Sequence, residues 1–408
     1  MSDRFPGWRV VLASFVCLAT TSGLGFYGLA VYLTVLSREQ GWSVGSISAA
    51  GTLFFFVAGL AGLVAARAMA RRDVRAVVVF GAITGAIALV LLGRVSEVWH
   101  VYVVYSLLSI GHTFAGLVPA TTVVTRWFHL KRSQALAAAS TGLSVGGMVL
   151  TPLVKWLLDR HGLAGTAPWL AAIWLVGIVP VTLAFTRGDP ALLGWQPDGA
   201  RISDGVAPPM ASVAYADAVR SRFFLLVTAA YTVILAAQVG GIQQLVKLVE
   251  ERSSASLATI ATTVLAGTSV VARLVGGQVL ARLPMARFTA MMAALQGAAL
   301  VWIALVTSSV PLFGGIVLFG ATVGNLLMLH PLLVAHQFGP ADYARIFSRS
   351  QFVVFLGTAA GPYLLGALHD ATDGYRVAYV VAGTLSLTGA LLLPKRTNEP
   401  VHPPTVPA

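Results

Sequence analysis

The 408 residues are 57% hydrophobic and 10% charged, with a mean hydropathy of +0.82, well outside the range of soluble globular chains. This composition excludes a soluble enzyme or binding module and defines an all-α, polytopic membrane protein. A single cysteine, Cys17, rules out an internal disulfide, and the eight histidines show no HExxH or Cys/His spacing, so no metal site is expected.

In chain order, the opening MSDRFPGWRV lacks a short apolar core followed by a small-residue cleavage site, and no cleaved signal peptide is expected. Apolar windows of about 20 residues, bounded by charge or Gly/Pro, then recur along the chain. They fall at about 8–36, 43–66, 74–93, 98–126, 133–157, 168–186, 221–248, 256–281, 285–307, 311–337, 342–368 and 375–394. Twelve spans place both termini on one side. The polar segment from Arg187 to Arg222 divides six from six, giving an N-terminal half over 1–186, a central loop over 187–220 and a C-terminal half over 221–408.

With the termini inside, 19 of the 27 Lys and Arg residues lie on the inner side and 7 on the outer side. The net charge of +12 is therefore an orientation signal that puts both termini in the cytoplasm, and not the footprint of a nucleic-acid partner. The remaining basic residue is Arg273, in the middle of the eighth span, SLATIATTVLAGTSVVARLVGGQVLAR. A guanidinium keeps its charge at that depth and must face a water-filled cavity or a counter-ion. Every Asp and Glu falls in a loop, a tail or an extreme helix end, so the sequence points to a bound anion in place of a protein carboxylate.

The halves repeat. Gly62-Leu-Val-Ala-Ala-Arg67 after span 2 matches Gly277-Gln-Val-Leu-Ala-Arg282 after span 8, 215 residues later; Phe128, Gly147 and Pro152 find matches at Phe338, Gly357 and Pro362, 210 residues later. Parallel six-span repeats fit a secondary transporter whose site lies at the midplane, between halves that rock.

Over nearly its whole length the chain resembles the major facilitator superfamily, whose Gly-x-x-x-Asp-Arg signature falls on the two Gly-x-Val-x-Ala-Arg segments; Ala66 and Ala281 replace the Asp. More specifically it resembles the monocarboxylate transporter family and its bacterial relatives. The resemblance runs through Pro6-Gly7-Trp8-Arg9-Val10-Val11, Gly41-Trp42-Ser43, Pro119-x7-Trp127-Phe128-x3-Arg132-x2-Ala135 and Gly142-x3-Gly146-Gly147. It continues in Asp189-Pro190-x3-Gly194-x2-Pro197-Asp198-Gly199, Gly361-Pro362-x3-Gly366-x3-Asp370 and Asp373-Gly374-Tyr375. Val271-Ala272-Arg273 matches the family's Val-Ala-Arg, and the resemblance implies that Arg273 binds carboxylate. Two positions depart from the family: Ser269 stands where members commonly carry Asp, and Gly25-Phe26-Tyr27 covers the region where some carry Lys. A proton relay through that Asp is not carried over.

The resemblance further implies that spans 1, 4, 7 and 10 line the cavity, flanked by 2, 5, 8 and 11, with 3, 6, 9 and 12 facing lipid. The neighbours of Arg273 at i−4, i−7 and i−11 are Ser269, Ala266 and Thr262, a small, weakly polar stripe that leaves room for a ligand beside the guanidinium fork. His112 in span 4 is either a structural hydrogen-bonder or a proton carrier and substrate donor, His titrating near neutral pH. His330 in span 10 is the second proton-coupling candidate. Asn325 serves either helix packing or ligand contact, and Tyr27, Gln238 and Phe355 complete the candidate contacts, Phe355 with packing as its competing role. Gln238 precedes Gly240-Gly241, a plausible flexing point.

The expected protein is a secondary transporter of a small monocarboxylate such as lactate or pyruvate, with a co-transported proton, in the cell (inner) membrane. The alternatives are an organic-anion exchanger, an exporter of another organic acid or drug, and a non-transporting sensor. With no Walker motif, metal cluster or nucleophile-base pair, no cofactor and no enzymatic activity are expected.

Overall fold

The computed structural model describes residues 5–42, 44–199, 212–280 and 283–394, and all its regular elements are helices. Ser43, the middle of the central loop and the Ala281-Arg282 end of the second signature lie outside the described residues.

Helix α1 (Gly7–Thr21) continues through a π-turn (Ser22–Phe26) into α2 (Gly28–Gln40). Then come α3 (Val44–Met69), α4 (Val74–Leu92), α5 (Val98–Ala115), α6 (Leu117–Trp127) and α7 (Arg132–Phe185). A short α8 (Tyr215–Arg220) precedes α9 (Arg222–Arg252), α10 (Ala255–Val279), α11 (Met285–Leu305), α12 (Ser309–Phe338), α13 (Tyr343–Thr372) and α14 (Tyr375–Leu392). Eleven stretches of the described residues are long and apolar enough to cross a bilayer. One of these is the 54-residue α7, broken at Gly162 by φ 64° and ψ −178°, and it supplies two spans, which makes twelve.

Sequence-expected boundaries shift in two places. The anticipated loop between the fifth and sixth spans, about 158–167, is helical except at Gly162, whose left-handed φ an L residue rarely adopts. The fourth span is split at Gly116 (φ −100°, ψ −131°) into α5 and α6. Elsewhere the ends follow ordinary capping chemistry: Asp73 Oδ1 accepts from Arg75 N at 2.9 Å, and Ser221 Oγ accepts from Phe224 N at 3.2 Å. At the other pole, Arg252 reaches across to α11 and donates Nη1 to Val306 O at 2.9 Å and Nη2 to Ala304 O at 3.3 Å, closing carbonyls that the helix end leaves open.

The contacts divide the chain into two compact units: residues 1–210 with 343–349, and residues 211–342 with 350–408. Each unit repeats one packing scheme. In the first, a Cβ at Gly142 would meet Phe15 O at 2.2 Å and one at Gly146 would meet Ala19 O at 2.0 Å. In the second, Gly357 meets Thr232 O at 2.4 Å and Gly361 meets Ala236 O at 2.1 Å. Gly142 and Gly357 are thus equivalent, 215 residues apart, as are Phe15 and Thr232, 217 apart. The sequence pairing of Gly147 with Gly357 is five residues out of step; Gly147 instead lies under the Tyr27 ring. The 215-residue offset read from the Gly62 and Gly277 segments holds.

Large apolar side chains stay exposed on α4 (Phe80, Ile83, Ile87), late α7 (Trp169, Val176, Leu183), α11 (Met291, Trp302) and α14 (Leu387, Leu391). In a bilayer these faces meet lipid. The inner sides of the same helices are less uniformly apolar than the sequence suggests. Gln296 of α11 is fully buried and donates Nε2 to Ile234 O at 3.1 Å and to Ser386 Oγ of α14 at 3.0 Å, an interhelical tie of the kind polar groups make where no water competes. α9 runs unbroken through Gly240 and Gly241. They admit close neighbours: Gly240 packs against Gly361 O, and Gly241 O accepts from Tyr379 Oη at 2.7 Å.

Both described ends of the central loop are pinned to a turn of their own unit. In the first, the Asp198 carboxylate accepts from three successive amides, His129 N (3.0 Å), Leu130 N (2.7 Å) and Lys131 N (3.1 Å), at the start of α7. Trp127 Nε1 donates to Arg187 O at 2.8 Å beside it. In the second, Val213 N donates to Phe338 O at 3.0 Å and Tyr215 N to Asp342 Oδ2 at 3.1 Å. Arg132, counted as a cytoplasmic surface charge from the sequence, is 6% exposed, its Nε donating to Phe128 O at 3.0 Å.

Candidate functional site

Arg273 lies six residues before the end of α10 at Val279, about 9 Å along the axis. It is completely buried. The side chain is turned toward α12, and Nε donates to Gly324 O at 2.8 Å. That bond depends on how closely the two helices approach. A Cβ at Gly324 would lie 2.2 Å from Ser269 O, and one at Gly320 would lie 2.7 Å from Leu265 O, so a side chain at either position would force the backbones apart. The equivalent place in the first unit, 215 residues earlier, pairs Ser109 with Phe54, and there the Ser109 hydroxyl donates to Phe54 O at 2.6 Å. The residue equivalent to Arg273 is Ala58, so the repeat builds this helix pair without an intramembrane charge.

Asn325 is 3% exposed and locks the same pair: Nδ2 donates to Ala272 O at 3.0 Å and to Ala321 O at 2.9 Å. Its Oδ1 rests on Gly276, where a Cβ would come within 1.7 Å, and has no hydrogen-bond partner. The amide thus holds the backbone on either side of Arg273. Ser269, at 1% exposure, completes the group of three sequence-expected residues that α10 and α12 bring together.

Three further expected residues belong to the second unit. Gln238 on α9 is 1% exposed with Oε1 lacking a hydrogen-bond partner, and Phe355 on α13 is half-buried. His330, one turn and more beyond Asn325 on α12, is 2% exposed; Nε2 lies 2.9 Å from Ser350 Oγ, and the ring stacks on Tyr231 at 4.4 Å and 19°. Ser350 Oγ is also 2.8 Å from Thr228 Oγ1. Sequence reading missed this chain of hydroxyls. The available signal was the Thr228/Tyr231 spacing on one face of α9 together with the polar run Ser348-Arg349-Ser350-Gln351.

In the first unit, His112 and Tyr27 both belong to the surroundings of the π-turn. His112 Nδ1 is 3.1 Å from Thr21 O; a carbonyl only accepts, so Nδ1 carries the proton. Gly25 admits the ring, since a Cβ there would lie 2.9 Å from Nδ1. The Tyr27 ring packs on Phe26 at 5.0 Å. π-turns inside α-helices are frequent at functional sites, and this one sets Gly25 against His112. Among the described residues no group of three His, Cys, Asp or Glu side chains could hold a metal ion.

Twelve membrane-spanning helices in two repeated six-span units, with Arg273 at mid-span in the second where the first has Ala58, define a multi-pass membrane protein with the organisation of a secondary transporter. The family model of the Major Facilitator Superfamily matches residues 15–305 and 239–408, and the chain belongs to that superfamily. Among curated relatives, it is 25% identical to "Monocarboxylate transporter 13" of Rattus norvegicus, over 95% of this chain and 88% of that protein. It is 26% identical to "Monocarboxylate transporter 11" of Homo sapiens, over 95% of this chain and 82% of that protein. Among solved structures, the human organic anion transporter MFSD10 (TETRAN) superposes with a TM-score of 0.73 at 15% identity, covering 97% of this chain and 100% of that one. The relatives are transporters and not enzymes, and the chain is a transporter of the same superfamily.

Proposed function

We propose that the chain is a secondary transporter of small monocarboxylates of the lactate and pyruvate type, carrying a proton with the anion by alternating access. The observation that carries this reading is Arg273: a guanidinium enclosed between α10 and α12, in a helix that contains no Asp or Glu. A buried cation costs several kcal/mol unless it is compensated. A substrate carboxylate compensates it with two parallel charge-assisted hydrogen bonds.

The Nε bond to Gly324 O sets the plane of the fork, and Asn325 fixes the two backbones that hold it. His112, Tyr27, Gln238, Ser269 and Phe355 are assigned to the second polar group and the apolar body of the substrate, His112 through Nε2, since Nδ1 is engaged by Thr21. Loading neutralises Arg273, and a proton taken up with the anion returns the carrier to the charge of its empty form. Transport is then electroneutral. The basic distribution supports an orientation with both termini in the cytoplasm, in the cell (inner) membrane.

Thermal melting of the purified protein tests the substrate class. Lactate and pyruvate raise the melting temperature in a concentration-dependent way, and lactamide, which lacks the charge, does not. Equal stabilisation by the amide and the acid would contradict the role given to Arg273.

A further inference from the structure

We propose that His330, with Ser350, Thr228 and Tyr231, is the site that binds the co-transported proton; this rests on the proton-coupled reading above and assigns the coupling to a cluster separate from the carboxylate site. The ring sits between a hydroxyl and an aromatic face. Nε2 is 2.9 Å from Ser350 Oγ, Ser350 Oγ is 2.8 Å from Thr228 Oγ1, and Tyr231 lies flat on the ring at 4.4 Å and 19°.

Each partner can serve both protonation states. With Nε2 bare, the Ser350 hydroxyl donates to it and its oxygen accepts from Thr228. When a proton adds to the ring, so that both nitrogens carry hydrogen, Nε2–H donates to Ser350 Oγ and the Ser350 hydrogen turns toward Thr228 Oγ1. Only hydroxyl rotors move, and the heavy atoms keep their places. The stacked phenol stabilises the imidazolium through its π-face. No bond other than N–H forms or breaks, and the proton enters from and returns to water.

The groups facing the ring include Tyr231 from α9 and Ser350 and Gln351 from α13. Of these three only Tyr231 titrates, and at neutral pH none is charged. Uptake of the proton's positive charge is favoured once the carboxylate has neutralised Arg273 on the neighbouring stretch of the same unit. That coupling is electrostatic and reciprocal.

A structural role does not account for the cluster. By the offsets that relate the two units, Thr228, Tyr231, His330 and Ser350 correspond to Val11, Ser14, Ala115 and Ala135. The first unit makes the same helix crossings with small and apolar side chains, so the fold does not require a histidine, a phenol and two hydroxyls there. His112, in the first unit, has one nitrogen committed to a backbone carbonyl and the other assigned to the substrate above.

The test compares two rates in proteoliposomes for the native protein and His330→Gln: lactate accumulation driven by an inward proton gradient, and exchange of labelled for unlabelled lactate at equal pH. Gln still hydrogen-bonds Ser350 but does not titrate. The expected result is a drop of about tenfold or more in the ratio of driven accumulation to exchange, with Ser350→Ala and Thr228→Val shifting the pH midpoint of uptake. A ratio equal to that of the native protein would overturn the proposal. Should the native protein carry no carboxylate at all, the function proposed above fails separately. Imidazole ¹⁵N NMR of the purified protein then decides on the proton site alone: a histidine signal lost in His330→Gln that titrates between about pH 5 and pH 8 supports it, and a His330 signal that does not titrate overturns it.

Discussion

Arg273 Nε donates to Gly324 O at 2.8 Å, and it can do so because Gly324 has no side chain to hold α12 away from Ser269 O, which a Cβ would meet at 2.2 Å. One glycine thus sets both the helix separation and the orientation of an arginine placed at mid-span. Arg273→Lys keeps the charge but removes the Nε donor and the planar fork. Carboxylate uptake by Arg273→Lys is expected to fall about 100-fold, with the melting temperature within a few degrees of the native value. Uptake and reconstituted-protein melting check the two halves of that statement, and near-native uptake by the lysine variant would contradict it.

Two glycines of α12 provide a matched pair. Gly324→Ala drives a methyl into Ser269 O and is expected to destabilise the protein by about 1–3 kcal/mol and abolish transport. Gly314→Ala meets nothing within 4 Å and should be neutral or stabilising by up to about 1 kcal/mol, through helix propensity. Thermal melting in detergent distinguishes them. A similar loss for both would show that close approach at Gly324 is not what the position provides.

The central-loop clip depends on one side chain. Asp198→Ala removes the acceptor for the amides of His129, Leu130 and Lys131, at the open end of α7. A stability loss of about 1 kcal/mol is expected, and about half of it in Asp198→Asn, which keeps one oxygen acceptor without the charge. Equal melting temperatures for Asp198→Ala and the native protein would refute the clip.

Arg252→Ala leaves the carbonyls of Ala304 and Val306 at the end of α11 without their donor. A loss of about 1–2 kcal/mol is expected, and Arg252→Lys should recover only part of it, since one ammonium does not span several carbonyls as the fork does. Melting curves of the two variants give the order directly.

The number of spans and the repeat were legible because hydropathy and Gly spacing report them without reference to partners. Gly162 was not, since the charged Asp159, Arg160 and His161 beside it read as a loop when they stand at a helix end. Nor was the register of the repeat at Gly147, where Gly142 and Gly147, five residues apart, both offer a match to Gly357 and only packing against Phe15 O selects Gly142. For the candidate site, sequence gave the depth of Arg273 and its neighbours on α10. The direction of the guanidinium depends on α12, through Gly324 and Asn325, and no single-helix periodicity contains that information. Burial of Gln296 and the Thr228–Ser350–His330 chain was hidden for the same reason: each is a polar residue whose partner belongs to another helix.

The most direct measurement of the central claim is uptake of labelled L-lactate into proteoliposomes, with and without an inward proton gradient, for the native protein and Arg273→Ala. The account predicts uptake that the gradient stimulates and that Arg273→Ala reduces to the level of empty liposomes. Absence of uptake for lactate, pyruvate and acetate by folded native protein, or uptake that survives in Arg273→Ala, would contradict it.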